Sequence, residues 1–161
     1  MEIIACEKKP TFDLVYQNLY LGDIEAAKNQ TCISTVDLIV NISNSRYKEY
    51  SKKSYEYFDI EDNRGANISV FFDRFVQIVE ANLDKKILVH CANAVSRSVT
   101  LVLCYLIYKK MTLKDAILYL TFQRKQYTHP NIGFFKQLLD YEKKILGDNS
   151  LKVSDYLSVF A

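Results

Sequence analysis

His90 to Thr100 reads HCANAVSRSVT, and this stretch lies between two apolar runs. Lys86 to Val89 (KILV), before it, predicts a short buried strand, and Ser98 to Tyr108 (SVTLVLCYLIY) predicts a buried helix after it. The stretch therefore places Cys91 at the end of a strand and Arg97 at the start of a helix. The first N–H groups of a helix are unpaired, and the helix dipole adds positive potential there. The sequence thus predicts a loop that binds an anion.

The residue types in this loop point to phosphoryl chemistry. Cys91 is the predicted nucleophile, because the thiolate is the reactive form of cysteine and a helix N-terminus and a nearby cation both favour it. Arg97 offers a planar fork of donors that can hold two phosphate oxygens through the transition state. Ser98 can donate a hydrogen bond to the sulfur and help Cys91 leave when the phosphoenzyme is hydrolysed. His90 is expected to support the loop rather than act as a base, since strand alternation points it away from Cys91. The alternative is an inert buried cysteine that happens to precede a helix.

These residues resemble a known family. Cys91 to Arg97 matches the Cys-x5-Arg signature of protein tyrosine phosphatases, and the flanking His90 and Ser98 look like its dual-specificity branch. Three further segments are similar to the opening strand, the next core strand and the closing helix of that branch: Tyr16 to Gly22 (YQNLYLG), Asp37 to Ser43 (DLIVNIS) and Tyr127 to Leu138 (YTHPNIGFFKQL). The chain is therefore identified as a member of the cysteine-based protein tyrosine phosphatase superfamily, resembling an atypical dual-specificity phosphatase reduced to its catalytic domain.

The resemblance implies a fold, an activity and a binding loop. It implies hydrolysis of phosphotyrosine and of phosphoserine or phosphothreonine in protein substrates, through a cysteinyl-phosphate intermediate and without a cofactor or metal. It implies that the phosphate is held by Arg97 together with the loop residues Ala92, Asn93, Ala94, Val95 and Ser96.

A phosphatase of this kind also needs an acid to protonate the leaving group. Asp59 lies in a predicted strand and Asp73 in an amphipathic helix, whereas Asp62 opens the polar, turn-rich stretch DNRGAN. Asp62 is therefore predicted to be the general acid in the first step and the general base in the second. Glu61 is the second choice, and the alternative role for Asp62 is that of a turn residue.

Ala94 departs from the family pattern, which has glycine at this position of the loop. Glycine usually occupies such a position because the backbone needs a positive φ or because a Cβ would crowd the ligand. An L-residue in left-handed geometry is disfavoured by roughly 1–2 kcal/mol. Two outcomes stay open: the loop is misaligned and turnover falls, or the loop keeps its shape with Ala94 inside it.

Composition and length limit the remaining classes. The chain has 161 residues of which 49% are hydrophobic, and we expect a catalytic domain over 1–146 with a C-terminal tail over 147–161 that is docked or frayed. A formal net charge of +2 argues against a nucleic-acid surface. No apolar run has membrane-spanning length, and no signal peptide is evident. Four cysteines then predict free thiols in a reducing compartment, the cytoplasm with the nucleus as a second site. Two histidines and no Cys-x2-Cys argue against a metal site, and a monomer is the default oligomeric state.

Alternating strands and helices predict an α/β fold: a central, mostly parallel sheet with helices on both faces, as the resemblance also implies. The predicted strands are Val15–Leu21, Leu38–Ser43, Tyr55–Ile60 and Lys86–His90. The predicted helices are Ile24–Asn29, Ser69–Leu83, Ser98–Lys109, Leu113–Gln126 and Ile132–Leu146. The cysteine loop is expected at the carboxyl end of a central strand, where open α/β sheets bind ligands.

Other functions remain as alternatives. One is a phosphoprotein-binding pseudophosphatase whose turnover Ala94 impairs while Arg97 keeps its affinity for phosphate. A more distant one is a phosphatase for lipid, glucan or RNA phosphates. Six basic residues could attract an anionic substrate but are interpreted mainly as solvated surface: Arg46, Lys48, Lys52, Lys53, Arg124 and Lys125.

Overall fold

A five-stranded sheet forms the centre of the protein, in the order β1-β2-β5-β3-β4. The computed structural model describes residues 9–124 and 126–160, so Cys6 and Lys125 lie outside the described residues. β1 pairs with β2 antiparallel, and all other neighbours are parallel. The predicted α/β class and the mostly parallel sheet are confirmed. The strands are β1 (Phe12–Tyr16), β2 (Leu19–Gly22), β3 (Leu38–Asn41), β4 (Ser54–Tyr57) and β5 (Ile87–His90).

The first predicted strand, Val15–Leu21, is wrong, because the structure has a β-hairpin there. Gln17 adopts a positive φ of 50° and, with Asn18, reverses the chain between β1 and β2. The Asn18 side chain then donates hydrogen bonds to the carbonyls of Asn82 (3.1 Å) and Lys85 (2.5 Å), which joins the turn to the segment before β5. The apolar residues continue across this turn, so the apolar pattern alone did not show the break.

Helices cover both faces of the sheet, as predicted. On β3 and β5, Ile39 and Leu88 point to one face and pack there with Ala27 and Ile33. Their neighbours on the same strands point to the opposite face and join the larger core. All four residues of β5 are buried because the strand is covered on both sides. The anion-binding loop therefore starts from the central strand of the sheet, which is buried along its whole length.

The helices differ from the prediction mainly at their ends. The helix α2 follows α1 directly and was not predicted; Asn29 separates the two and caps α2 by accepting a hydrogen bond from Cys32 N (3.0 Å). The predicted helix Ser69–Leu83 begins as a 3-10 turn at Ile68–Phe71. The helices are α1 (Ile24–Lys28), α2 (Gln30–Thr35), α3 (Phe72–Ala81), α4 (Arg97–Tyr108), α5 (Leu113–Gln123), α6 (Ile132–Leu146) and α7 (Tyr156–Val159). In the described part of the chain, none is long and apolar enough to cross a bilayer.

The end of α5 differs from the prediction in a way that matters for the site. The predicted helix Leu113–Gln126 stops at Gln123, and Arg124 takes an extended conformation. Farther along, Thr128 is buried and the His129 N–H donates to the Val95 carbonyl of the anion-binding loop (2.9 Å), before Pro130 and the start of α6. By contrast, α6 has the predicted bounds, and it ends at Gly147 with a φ of 85°.

The C-terminal tail packs on the domain. After a 3-10 turn at Val153–Asp155, α7 leads to Phe160, which is 5% exposed. The Phe160 ring stacks on His129, and the Tyr156 hydroxyl donates a hydrogen bond to the Pro130 carbonyl (2.7 Å). The tail thus packs against His129 and Pro130, just before the start of α6.

Candidate active site

The loop between β5 and α4 brings a thiol and a hydroxyl together. Cys91 follows β5 directly and is 3% exposed, and Ser98 lies in the first turn of α4 and is fully buried. The Cys91 Sγ atom is 3.1 Å from the Ser98 Oγ atom. This distance suits a hydrogen bond between the two, as the proposed role of Ser98 requires.

Arg97 is the first residue of α4, and backbone carbonyls hold one of its terminal nitrogens. Its Nη1 donates to the carbonyl oxygens of Ser43 and Ile60, each at 3.0 Å. Its Nε is buried and, within the described residues, has no hydrogen-bond partner. The edge of the guanidinium that contains Nε therefore has donor capacity left for a bidentate anion.

The loop carbonyls are held from outside the loop. Because carbonyl and N–H point in opposite directions across a planar trans peptide, outward carbonyls turn the following N–H groups toward the inside. That arrangement makes a concave set of donors of the kind that binds anions. The three outside donors are the Ile24 N–H to Ala92 O (3.2 Å), Arg124 Nη2 to Ala94 O (2.7 Å) and the His129 N–H to Val95 O (2.9 Å).

Ala94 occupies the left-handed region, with a φ of 57°, and is fully buried. This is the conformation for which glycine is usually selected. Ala94 thus lies in this conformation inside the loop, and its effect on turnover stays a prediction.

His90 is buried between the loop backbone and a tyrosine. Its Nδ1 is 3.1 Å from the Cys91 carbonyl oxygen, and its Nε2 is 2.7 Å from the Tyr47 hydroxyl. Burial lowers the pKa of His90 to about 4, which keeps the ring neutral near neutral pH. A carbonyl only accepts, so the proton is assigned to Nδ1, and Nε2 accepts from Tyr47. The ring thus connects the loop backbone to Tyr47 through its two nitrogens.

Asp62 lies in an exposed loop and is linked to the start of α6. Its Oδ1 accepts a hydrogen bond from Asn131 Nδ2 at 2.9 Å. Asn131 also caps α6 through Phe134 N (2.9 Å), and its own N–H donates to Ser96 Oγ in the anion-binding loop (3.0 Å). Asn131 therefore joins the candidate acid to the candidate phosphate site.

The neighbouring acids are engaged elsewhere. Glu61 accepts a hydrogen bond from the Asn44 side chain (3.1 Å). Asp59 is exposed, lies beyond the end of β4 rather than inside a strand, and pairs with Arg46 at 2.8 Å. Asp73 lies in the first turn of α3. Of the sequence candidates, Asp62 is the one that Asn131 ties to the loop.

Close packing fixes the distance between the Asp62 loop and α6. Gly133, in the first turn of α6, lies directly under the Arg64 backbone, and a Cβ there would overlap the Arg64 carbonyl. Arg64 follows Asp62 by two positions, so this contact places the chain beside the candidate acid against the start of α6.

Three residues of the site were missed from the sequence. Asn131 had a usable signal, because Asn directly after Pro130 and before a helix is a common N-cap. Tyr47 had no such signal in the sequence, because it reaches His90 from a loop after β3. Arg124 was interpreted as solvated surface, and this is wrong: its side chain is fully buried. No group of His, Cys, Asp and Glu suited to a metal ion occurs in the described ranges.

Comparisons with known proteins agree with this geometry. A sequence profile of the family described as "Dual specificity phosphatase, catalytic domain" matches residues 19–144. "Dual specificity protein phosphatase 1" of Arabidopsis thaliana is 33% identical over 153 residues, which cover 91% of this chain and 74% of that protein. "MAP kinase phosphatase with leucine-rich repeats protein 3" of Dictyostelium discoideum is 32% identical over 150 residues, which cover 89% of this chain but only 17% of that protein.

A solved structure has the same fold. The crystal structure of a mouse putative dual specificity phosphatase complexed with zinc tungstate matches with a TM-score of 0.79 and 22% identity. The match covers 89% of this chain and 93% of that one.

Proposed function

This chain belongs to the dual specificity phosphatase family, and we propose that it hydrolyses phosphotyrosine and phosphoserine or phosphothreonine in proteins through a phosphate ester of Cys91. Family membership supports a protein phosphatase. The single observation that carries the mechanism is the hydrogen-bond distance of 3.1 Å between the Cys91 thiol and Ser98, inside a loop whose carbonyls are held outward.

In the first step, the Cys91 thiolate attacks phosphorus and forms an S–P bond while the bond from phosphorus to the leaving oxygen breaks. Asp62 gives its proton to that oxygen, so the product alcohol or phenol leaves neutral. Arg97 and the inward N–H groups of the loop hold the phosphoryl oxygens as charge shifts onto them. Asn131 keeps Asp62 beside the loop through its hydrogen bond of 2.9 Å.

In the second step, water attacks phosphorus and the S–P bond breaks. Asp62, now a carboxylate, takes the proton from the water. The Cys91 sulfur leaves as a thiolate, and the Ser98 hydroxyl donates a hydrogen bond to it. Inorganic phosphate is released, and the cycle balances because the proton that Asp62 takes from the water replaces the one that it gave to the leaving group.

Several features support a protein substrate in a reducing compartment. The described cysteines Cys32, Cys91 and Cys104 are all free thiols, which suits the cytoplasm, or the nucleus as a second site. The loop side chains carry no basic residue besides Arg97, which argues against a lipid head group with several phosphates.

A second candidate function is favoured by Ala94. A strained residue in the phosphate loop could shift the protein from turnover to phosphoprotein binding. We prefer the enzyme, because the loop holds its shape with Ala94 at a φ of 57° and each predicted catalytic group is present.

The test is hydrolysis by the parent chain, Cys91→Ser and Asp62→Asn. Substrates are para-nitrophenyl phosphate, a phosphotyrosine peptide, a phosphothreonine peptide and a phosphoinositide. We expect turnover of both peptides by the parent, none by Cys91→Ser, and a fall in kcat of about 100-fold or more for Asp62→Asn. A folded parent that turns over none of these substrates rules out the enzyme, and a preference for the phosphoinositide rules out the protein substrate.

A further inference from the structure

Arg124 places a buried cation against the outer side of the phosphate loop. Its side chain is fully buried, and its Nη2 donates to the Ala94 carbonyl at 2.7 Å. Nη1 donates to Thr128 Oγ1 at 3.2 Å, and Nε is 3.8 Å from an Asp13 carboxylate oxygen on β1. A buried charge is costly unless it is paired. This guanidinium is therefore fixed by partners on three separate segments.

The bond to Ala94 sets the direction of one peptide group. With the Ala94 carbonyl held by Arg124, the Val95 N–H on the same planar peptide points the opposite way. That direction is toward the inside of the loop, where the phosphate would bind. The His129 N–H holds the next peptide in the same way, because it donates a hydrogen bond of 2.9 Å to the Val95 carbonyl. The Ser96 N–H of that peptide therefore also points inward.

Ala94 is the residue of the loop with a reason to move. At a φ of 57° it is strained, and rotation to a negative φ would relieve the strain. Such a rotation would also swing the Ala94 carbonyl away from Arg124 and leave a buried cation without that acceptor. Arg124 therefore opposes the rotation that the alanine favours.

Resting on the phosphatase function proposed above, we propose that Arg124 is a positioning residue for the phosphate loop. It holds the Ala94–Val95 peptide with its N–H toward the phosphate and so keeps an alanine in a place that usually requires glycine. Burial lowers the pKa of the Arg124 guanidinium, and the Asp13 carboxylate, 3.8 Å from Nε, opposes that shift and helps to hold the cation in place.

The experiment measures binding of inorganic phosphate by titration calorimetry in chains that carry Cys91→Ser, so that turnover plays no part. The series is Arg124→Met, Arg124→Lys, Ala94→Gly, and each Arg124 variant combined with Ala94→Gly. Arg74→Met is the matched control, because Arg74 is an exposed arginine on α3 that forms an ion pair of 2.7 Å with Glu56 of β4. Thermal unfolding establishes that each variant is folded.

We expect Arg124→Met to weaken phosphate binding about tenfold, which corresponds to the loss of one bond to a charged group, and Arg124→Lys to weaken it less. Ala94→Gly should restore at least about threefold in either Arg124 background, a larger gain than it gives in the parent. The control should bind like the parent. If Arg124→Met fails to fold, the Arg124→Lys pair carries the same comparison.

Two results would overturn the inference. One is phosphate binding by folded Arg124 variants that equals the parent's. The other is an Ala94→Gly effect that is the same with and without Arg124, since a merely structural arginine would give additive changes. A parent that binds no phosphate would instead refute the phosphate site itself, and with it both proposals.

Discussion

Replacing Ala94 with glycine removes backbone strain and should nevertheless leave turnover almost unchanged. The strain of a left-handed alanine is roughly 1–2 kcal/mol. Against it stand three outside hydrogen bonds to the loop carbonyls: two from backbone N–H groups, of about 0.5–1.5 kcal/mol each, and one from a guanidinium, of about 1.5–3 kcal/mol. Together these hydrogen bonds stabilise the loop by roughly 2.5–6 kcal/mol, which exceeds the strain energy of Ala94.

The margin of roughly 0.5 kcal/mol or more means that the binding shape of the loop is already the major state. Glycine can then raise kcat/KM on para-nitrophenyl phosphate by less than about twofold. The unfolding free energy should stay within about 1 kcal/mol, because strain relief is offset by the lost methyl group and by the greater freedom of glycine in the unfolded chain.

The assay compares kcat/KM and urea unfolding for the parent and Ala94→Gly. A rise in kcat/KM of about tenfold or more would refute the reasoning, since it would mean that the alanine loop is mostly misaligned. That result would favour the pseudophosphatase alternative for the parent chain.

Three further predictions concern the groups around the loop. Because His90 has a pKa of about 4 in the fold and 6.5 in the unfolded chain, the unfolded state binds its proton first. The free energy of unfolding should fall by up to about 3 kcal/mol as the pH drops from 6.5 to 4. In urea titrations His90→Gln should lack this loss. Parallel pH profiles of stability for the parent and the variant would contradict the prediction. Asn131→Ser keeps the helix cap but cannot hold Asp62, so kcat should fall about tenfold. The loss should be greater for phenyl phosphate than for para-nitrophenyl phosphate, and equal losses would argue that Asn131 does not position the acid. Gly133→Ala should displace the Arg64 backbone, lower the free energy of unfolding by about 1–3 kcal/mol and lower kcat on phenyl phosphate. An unchanged kcat would show that this contact does not set the position of the Asp62 loop.

The sequence was sufficient to predict the fold class and the position of the loop in it. An apolar strand, a short loop and an apolar helix placed Cys91 at the end of β5 and Arg97 at the start of α4, because burial on both faces of β5 makes the pattern strong. It was not sufficient for the hairpin at Gln17, where the apolar residues continue through the turn. It also failed for α2, whose six residues are too short for a periodic pattern.

The supporting residues of the site could not be predicted for a different reason. Tyr47 and Arg124 act through contacts between segments far apart in sequence, and each looks like an ordinary surface side chain in the chain itself. Arg124 in particular follows a polar helix end, and only the early end of α5 turns it inward. Contacts of this kind depend on tertiary packing, which local patterns do not record.

The central claim is that Cys91 carries the phosphoryl group, and trapping the intermediate tests it most directly. The parent and Asp62→Asn would be mixed with para-nitrophenyl phosphate, quenched in acid within milliseconds and digested for mass spectrometry. We predict one phosphoryl group on the peptide that contains Cys91, and none in Cys91→Ser. The phosphorylated fraction should be larger in Asp62→Asn than in the parent if loss of the base slows hydrolysis more than loss of the acid slows attack. Turnover by Cys91→Ser, or a phosphoryl group found only on another residue, would contradict the account.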